Sequence, residues 1–177
     1  KNGIFKISDK NCPNIIKISS NKSVLFNSYK NGFVKRAQEL ERCYQLDKID
    51  FKNKDIIFDC GANHGDLKLW FNFKNIEIRY FGFEPDPREF ESLKKNVFPS
   101  EVYNIGLWNQ NTENNFYISR YNADSSLLKP ISYESKIIIK SKRLETFLRE
   151  PVKLLKLEAE GGEPEILYGI GKKIGLI

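Results

Sequence analysis

The stretch IIFDCGANHGD, residues 56–66, contains acids on either side of a glycine-rich turn. An apolar run ends in an acid, Asp59, and a turn that contains Gly61 and Gly65 follows at once. Such a turn lets the backbone approach a ligand closely, and the amides that open the next helix face that ligand. A glycine turn alone is weak support for function, because many strand-to-helix junctions contain one.

A second acid lies at the spacing expected of a nucleoside site. The segment YFGFEPDP ends another apolar run, and its Glu84 lies 19 positions after Gly65. An acid at about this distance accepts the hydroxyls of a ribose in nucleotide-binding folds. Pro85 and Pro87 stiffen the turn, and Asp86 is expected to cap the helix that follows. Two strand ends therefore predict one nucleoside at the same edge of a sheet.

The charge pattern of the first turn distinguishes between nucleosides. The G-x-G-x-x-G spacing of dinucleotide sites is absent, and Asp59 and Asp66 flank the turn with no Lys or Arg between them. Carboxylates at this position repel a pyrophosphate. They attract the ammonium and sulfonium groups that S-adenosylmethionine carries, so the pattern favours a methyl donor over NAD or ATP.

The elements that position these residues alternate between strand and helix. The expected order is IIFDC, HGDLKLWFNF, IRYFGFEP, DPREFESLKKNV, EVYNIGLW and VKLLKLEAEGGEPEILYGI, the last containing both a strand and a helix. Continuous apolar strands separated by helices indicate a parallel sheet covered on both faces. We therefore predict an α/β fold with a doubly wound, mostly parallel, Rossmann-like sheet in a core at residues 51–177.

Other segments are expected to surround this core. Residues 1–50 are predicted to form a cap within the same domain: a β-meander at Gly3–Ile7, Asn14–Ser19 and Ser23–Asn27, and an amphipathic helix at Phe33–Leu46. Phe116–Ser119 and Lys136–Lys140 are predicted antiparallel additions, and Leu144–Leu148 a short helix. The final KKIGLI predicts the first half of another strand, so we expect an edge strand and its hairpin beyond residue 177. The chain contains no methionine, so residues before Lys1 are expected too.

Composition indicates a single domain with a sizeable core, since 177 residues with 40% hydrophobic content can bury one. The net charge of +6 suggests an anionic partner, but the lysines are scattered. Only Lys136, Lys140, Lys142 and Arg143 cluster, and an alternating strand of this kind is typical of a solvated sheet edge.

Cysteine and hydropathy patterns indicate a cytoplasmic protein. Cys12, Cys43 and Cys60 are odd in number, have no CxxC spacing and cannot complete a zinc set with the single histidine. No apolar run approaches membrane-spanning length, and the N-terminus has no signal-peptide core. We therefore expect reduced thiols and no membrane association.

Four motifs together resemble one known family. They are DCGANHGD, FGFEPDPREFESLKKNV, RLETFL and KLLKLEAEGGEPEIL, within residues 33–169. In this order and at these distances they resemble the FkbM family of S-adenosylmethionine-dependent methyltransferases. The resemblance implies a class I methyltransferase fold and O-methylation of a hydroxyl on a sugar or polyketide-like metabolite, the acceptor being the expected partner.

The resemblance also implies site residues. Carried over by motif, the residues along the methionine end of the donor are Asp59, Gly61, Ala62, Asn63 and Gly65. Glu84, with Pro85 beside it, is expected to bind the ribose, and Asn104 to lie near the adenine. Ser125 and Ser126 resemble the serine-containing loop of the family.

The fourth strand departs from the family pattern. The family usually has Lys-Ile-Asp-Val-Glu-Gly, whereas this chain has KLEAEG at residues 156–161, so Glu158 is one methylene longer. Methyl transfer from a sulfonium is an in-line displacement that depends mainly on positioning. The acceptor hydroxyl still loses a proton, so Glu158 and Glu160 are the catalytic candidates.

Several alternatives stay open for individual residues. Alternation along a strand would send Glu158 and Glu160 to opposite sides, with Glu158 facing the donor and Glu160 either catalytic or a structural acid. His64 is either a base beside the donor or, as we favour, a helix-opening side chain on the surface or over the cofactor. Magnesium binding by the two glutamates is the less favoured reading, and no metal is predicted.

Two rival functions are compatible with the same residues. A methyltransferase acting on RNA or DNA would use the same donor half together with the positive net charge, but no Asn-Pro-Pro-Tyr-like or catalytic Cys motif is present. A domain that binds a nucleoside without turning it over is the other rival. The acceptor pocket is expected from the N-terminal segment and the loops of residues 109–135.

Overall fold

The computed structural model describes residues 5–10, 12–18, 27–119 and 125–177. Its strands are, in chain order, β1 (Phe5–Asp9), β2 (Cys12–Ile18), β3 (Ile56–Cys60), β4 (Arg79–Phe83), β5 (Glu101–Tyr103), β6 (Gly106–Leu107), β7 (Thr112–Ile118), β8 (Ser135–Lys142) and β9 (Leu154–Leu157). Its main helices are α1 (Phe33–Tyr44), α2 (Asp66–Phe73), α3 (Pro87–Asn96) and α4 (Glu163–Tyr168). Short 3₁₀ helices occur at Leu46–Lys48, Leu144–Thr146 and Gly171–Leu176.

The centre of the fold is a four-stranded parallel sheet in the order β5-β4-β3-β9. Strand β3 lies in the middle, and all five of its residues are buried, which explains its continuous apolar sequence. The helices α2 and α3 connect β3 to β4 and β4 to β5, as the alternation predicted. The Rossmann-like α/β fold is therefore confirmed.

Two apolar clusters cover the two faces of this sheet. On one face, Ile57 and Tyr80 pack with residues of α1, α2 and α3, including Phe71 and Leu93. On the other face, Phe58 packs with residues of α4 and of the 3₁₀ segment that begins at Leu144. Because β3 alternates between the faces, its last two residues, Asp59 and Cys60, point to opposite sides of the sheet.

A second sheet of three strands, in the order β6-β8-β7, stands apart from the parallel one. Strands β7 and β8 are antiparallel as predicted, and β8 also pairs with β6, so neither strand joins the central sheet. The segment EVYNIGLW, predicted as one strand, is divided between β5 and β6. The lysine-rich β8 is the central strand, so its interpretation as a sheet edge is wrong; Lys136, Lys140 and Lys142 lie on its exposed face.

The N-terminal cap is an antiparallel hairpin followed by α1. Strands β1 and β2 confirm the first two strands of the predicted meander. The third, Ser23–Asn27, lies almost wholly outside the described residues, and its last residue, Asn27, is helical. The predicted amphipathic helix corresponds to α1 and buries Phe33, Ala37 and Leu40.

The end of the chain differs from the prediction. The segment KKIGLI forms part of the 3₁₀ helix Gly171–Leu176 and not a strand. The Lys173 ammonium donates to the carbonyls of Glu145 and Leu148 at 2.8 and 2.6 Å, and the amide of Val152 donates to the Leu176 carbonyl. These hydrogen bonds hold the terminal segment against residues 145–152, without pairing as a strand. In the part of the chain that the structure describes, no helix is long and apolar enough to cross a membrane.

Candidate functional site

A cleft lies at the carboxyl ends of β3, β4 and β9, and we call it the main cleft. It encloses about 770 Å³, including its open mouth. Its apolar wall contains Phe83, Ile105, Leu107, Phe116 and Leu127. Its acidic residues are Glu84, Asp86, Glu89, Glu158 and Glu160, and the described lining residues include no Lys, Arg or His. The cleft is therefore suited to a ligand with an apolar body and positive charge.

Glu84 follows β4 and is held by the backbone on both carboxyl oxygens. The amide of Asn63 donates to one oxygen and the amide of Asp86 to the other, each at 2.8 Å. Glu84 is only 6% exposed, and this burial raises the pKa of the carboxyl to about 8, although the two amides oppose the shift. The acid is thus fixed in the cleft wall, where a ligand hydroxyl could donate to it.

The turn after β3 is fastened to β4. The amides of Gly61 and Ala62 both donate to the Phe83 carbonyl at 3.0 Å. These amides, and that of Asn63, donate to β4 and to Glu84. The expectation that the amides opening the next helix face the ligand concerns later residues, since α2 begins at Asp66, and it stays a prediction. Gly61 has φ +74°, and a β-carbon there would overlap the Glu158 carbonyl oxygen. A glycine is required because the turn and the end of β9 approach so closely.

Asp59 lies behind the turn and not in the main cleft. It is 1% exposed and accepts a hydrogen bond from the Tyr80 hydroxyl at 2.6 Å. The Lys156 ammonium is 3.0 Å from its other oxygen and also donates to the Gly61 carbonyl at 2.6 Å. Burial alone would lower the pKa of Lys156, but Asp59 and Glu158 beside it raise that pKa above its usual range.

The second acid of the turn is also neutralised. The Arg36 guanidinium of α1 donates to Asp66 at 2.8 Å, and the Tyr29 hydroxyl donates to the other carboxyl oxygen. The sequence-based view that Asp59 and Asp66 leave the turn negatively charged is therefore wrong. The negative charge of the site comes instead from the main cleft, where Glu158 is ionised at neutral pH, whereas Glu84, with its pKa raised to about 8, is largely protonated.

Glu158 and Glu160 both line the main cleft. Strand β9 ends at Leu157, and the backbone turns at Glu160, where φ is +50°. That the two side chains point to opposite sides stays a prediction. The Glu158 carboxylate lies 3.3 Å from the Lys156 ammonium. Partial burial opposes ionisation of Glu158, yet Lys156 and a hydrogen bond from Tyr44 lower its pKa. Glu158 is therefore a carboxylate at neutral pH.

The remaining predicted base, His64, is buried and paired with an acid. Its Nε2 lies 2.7 Å from a carboxyl oxygen of Glu89, and both side chains are at most 5% exposed. Of the positions expected for His64, the one on the surface is therefore wrong, and the one over the cofactor stays a prediction. The Asn96 side chain donates to the His64 carbonyl and to the Lys17 carbonyl of β2, which ties the N-terminal hairpin to the turn.

Comparison with known proteins identifies the family. The family model described as the Methyltransferase FkbM domain matches residues 59–176, which include the last two residues of β3, all of β4 and β9, and every acid of the main cleft. The chain belongs to the FkbM methyltransferase family. The resemblance seen in the four sequence motifs is confirmed.

Individual relatives are more distant. The 31-O-demethyl-FK506 methyltransferase FkbM of Streptomyces tacrolimicus is 30% identical over 70 residues, which cover 40% of this chain and 27% of that protein. Methyltransferase 1 of Beauveria bassiana (strain ARSEF 2860) is 24% identical over 169 residues, which cover 78% of this chain and 66% of that protein. The chain thus spans about a quarter to two thirds of these relatives.

A solved structure is also similar, that of Methyltransferase FkbM from Methylobacillus flagellatus KT. It has a TM-score of 0.49 and 16% sequence identity, and the match covers 69% of this chain and 30% of that one.

The residues predicted from the FkbM motifs fall into two groups. Those that line the main cleft are Gly61, Asn63, Glu84, Pro85, Ser125, Glu158 and Glu160. The others, Asp59, Ala62, Gly65, Asn104 and Ser126, are not among its lining residues. The roles assigned to both groups stay predictions.

The second group supports the cleft from behind. Asn104 donates to the carbonyls of Glu84 and Pro85 at 2.8 and 3.1 Å, and the Ser126 hydroxyl donates to the Glu160 carbonyl at 2.9 Å. Gly65 packs against α3 near Leu93, and its φ is +87°. These residues fix the strand ends and loops from which the cleft is built.

Sequence reasoning missed Lys156, Tyr80 and Tyr44, which hold the two strand-end acids. Lys156 could have been found, because it interrupts an apolar strand next to β3 and lies in register with Asp59. Two buried charges in adjacent strands must pair. Tyr44 has no comparable signal, because its helix lies far from β9 in sequence.

Proposed function

We propose that the protein is an S-adenosylmethionine-dependent O-methyltransferase that methylates a hydroxyl of a sugar or another small metabolite. Membership of the FkbM family supports methyl transfer, and the name of the Streptomyces relative describes methylation at an oxygen. The observation that carries the proposal is the fixed carboxyl of Glu84 in a cleft whose described walls contain acids and no cation.

The main cleft provides suitable acceptors for a cationic nucleoside. Glu84 would accept the ribose hydroxyls, and Glu158 would lie near the positive charge of the donor. The Asn63 side-chain oxygen is buried and has no hydrogen-bond partner among the described residues, so it offers a further acceptor to a ligand amino group. The apolar wall would cover the adenine.

S-adenosylmethionine, when bound, supplies a methyl group on a sulfonium that an oxygen can displace. The chain's own contribution is to orient the acceptor hydroxyl and receive its proton. Glu158 is the candidate for this role because it is ionised, half-exposed and adjacent to the cleft. Its low pKa makes it a weak base, so it would orient the hydroxyl first and take the proton late.

Glu160 and His64 are less suited to be the base. The Glu160 carbonyl is fixed by Ser126, and its residue forms the turn before α4. His64 is buried against Glu89 and does not line the main cleft. Among the described residues, no cluster of three or more His, Cys, Asp or Glu side chains is arranged to hold a metal ion.

RNA or DNA is the disfavoured acceptor, because the acids of the cleft repel phosphates. Burial also raises the pKa of the Cys60 thiol, so this cysteine of the cleft wall is a neutral thiol and not an activated nucleophile. Salt-sensitive binding of an oligonucleotide would revive the nucleic-acid hypothesis.

Calorimetry with S-adenosylmethionine and S-adenosylhomocysteine tests the proposal. Both are expected to bind the full chain, and NAD is not. Glu84→Ala should weaken both, whereas Glu134→Ala, which removes an exposed glutamate outside the cleft, should leave them unchanged. Binding without transfer to any alcohol in the presence of varied acceptors would favour the non-catalytic domain instead.

A further inference from the structure

A second cavity, which we call the basal cavity, lies toward the amino ends of the parallel strands, on the face of the sheet that contains Phe58. The first residues of β3, β4 and β5, which are Ile56, Arg79 and Glu101, line it. It encloses about 980 Å³, including its open mouth. Its described lining residues do not overlap with those of the main cleft. The basal cavity is therefore a separate space from the proposed donor site.

Four aromatic rings, which we call the aromatic floor, line the basal cavity: Phe58, Phe81, Tyr103 and Phe147. The ring centroids of Phe58 and Phe81 are 5.1 Å apart, and those of Tyr103 and Phe147 are 4.8 Å apart. Phe58 is buried, whereas the other three rings are only partly buried. Aromatic rings that remain partly exposed can stack on another flat apolar group. The floor therefore suits a ligand with a flat apolar body.

The acids of the basal cavity already have donors. Arg79 binds Glu150 through two hydrogen bonds of 2.9 Å each. The Tyr103 hydroxyl donates to Glu101 at 2.8 Å. Both carboxylates are thus held by neighbouring side chains of the cavity wall.

Two cations of the basal cavity are not paired in this way. Lys142 and Arg149 line the cavity and are exposed, and neither has an ion-pair partner among the described residues. Arg149 lies near the aromatic floor: burial and Glu101 raise the pKa of Tyr103, and Arg149 opposes this shift. Together with Arg79, the described lining has three cations against two acids. This excess of positive charge favours an anionic ligand.

We infer that the basal cavity is a second ligand site, which takes a small aromatic phosphate or carboxylate. The aromatic floor contacts the flat body of the ligand, and Lys142 and Arg149 pair with its anionic group. The main cleft has acidic walls with no described cation, so the two spaces select ligands of opposite charge. The basal site is thus independent of the proposed methyl transfer.

The test is an NMR titration of the isotope-labelled full chain at pH 7. The charged probes are 2-naphthyl phosphate and 2-naphthoate, which distinguish a phosphate from a carboxylate. Neutral 2-naphthol carries the flat body alone, and inorganic phosphate carries the charge alone. At least one charged probe is expected to shift the amides of Phe81, Tyr103 and Phe147. It should bind at least about tenfold more tightly than 2-naphthol or inorganic phosphate, because only the charged probe makes both kinds of contact.

Variants of the two cations test the anionic group. Lys142→Gln and Arg149→Gln should each weaken the charged probe about three- to tenfold, because each removes one charge-assisted contact. Both should leave the affinity for 2-naphthol unchanged. Lys136→Gln is the matched control, since Lys136 is exposed on the same strand as Lys142 but does not line the cavity, and it should bind the charged probe as the wild type does.

A further variant fills the space. Thr146 is exposed at the cavity wall, so Thr146→Trp should abolish the shifts caused by the charged probe. Thr112→Trp, at an exposed position outside the cavity, should retain them. The two glutamine variants change only exposed side chains, so they test the site even if Thr146→Trp does not fold.

The inference is overturned if neither charged probe binds, or if 2-naphthol binds as tightly as the charged probes. It is also overturned if Lys142→Gln or Arg149→Gln binds the charged probe as tightly as the wild type. Shifts that map to Phe116 and Leu127 would place the probe in the main cleft and would contradict a separate site. The titrations contain no methyl donor, so their outcome does not depend on the proposed function.

Discussion

Replacing Lys156 by methionine should destabilise the protein strongly. Methionine preserves most of the side-chain volume but removes the ammonium, which contacts Asp59 at 3.0 Å and the Gly61 carbonyl at 2.6 Å. The side chains of Lys156 and Asp59 are 7% and 2% exposed. The carboxylate of Asp59 would remain buried without its counter-charge, with only the Tyr80 hydroxyl to stabilise it.

The expected loss follows from this burial. Removing one partner of a buried ion pair costs about 3–5 kcal/mol, because the other charge stays desolvated. For a chain of this size, such a loss lowers Tm by about 10 °C. Lys153→Met is the matched control, since Lys153 is exposed immediately before the same strand, and it should change the free energy of unfolding by less than about 0.5 kcal/mol.

The assay is urea denaturation followed by tryptophan fluorescence, because Trp70 is buried. A double-mutant cycle with Asp59→Asn measures the interaction between the two side chains. The loss in free energy of unfolding of the double variant should be smaller, by at least about 1.5 kcal/mol, than the sum of the losses of the two single variants. A Lys156→Met protein within about 1 kcal/mol of the wild type, or additive single losses, would refute the reasoning.

Three further variants test other parts of the site. Glu84→Gln should flatten the pH dependence of stability: the folded pKa near 8 lies above the unfolded value, so the wild type binds extra protons when folded and loses stability as pH rises. Between pH 5 and pH 7 the free energy of unfolding of Glu84→Gln should rise by on the order of 3 kcal/mol relative to that of the wild type, as measured by urea denaturation. Gly61→Ala should cost more than about 2 kcal/mol, because the backbone is left-handed there and the methyl group would overlap the Glu158 carbonyl. Asp66→Asn should cost about 1–3 kcal/mol by weakening the contacts of Arg36 and Tyr29.

Each of these variants has a control at an exposed position. Glu134→Gln should leave the pH slope unchanged, and an identical slope for Glu84→Gln and the wild type would contradict the buried acid. Gly175→Ala meets nothing within 4 Å, so equal losses at Gly61 and Gly175 would contradict the close approach. Asp50→Asn, whose side chain is 84% exposed, should have no measurable effect. If Asp66→Asn also left the free energy of unfolding unchanged, the contacts of Asp66 with Arg36 and Tyr29 would not stabilise the protein.

The parallel core could be predicted because its strands are apolar along their whole length. Strand β3 is buried at every position. Such an apolar run predicts a buried strand even when the neighbouring strands are unknown. The segment EVYNIGLW also looks continuous, but it divides because Asn104 bonds to the Glu84 and Pro85 carbonyls and fixes the chain over the end of β4. A single sequence does not reveal this side-chain contact with a distant backbone.

The acids of the site could be identified, but not their partners. Glu84 was found from its spacing after Gly65, and it lines the cleft. The charge of Asp59 was misjudged because Lys156 is 97 positions away and meets it only through the pairing of β3 with β9. The turn at Glu160, where φ is +50°, could not be predicted, because the strand pattern of β9 does not contain it.

The most direct test of the central claim is calorimetric titration of the full chain with S-adenosylhomocysteine, for the wild type and Glu84→Ala. The claim is that an acid fixed at the end of β4, in a cleft with acidic described walls, holds the nucleoside of a methyl donor. We predict that the wild type binds and that Glu84→Ala binds markedly more weakly. No binding to the wild type, or equal affinity in both proteins, would contradict the account.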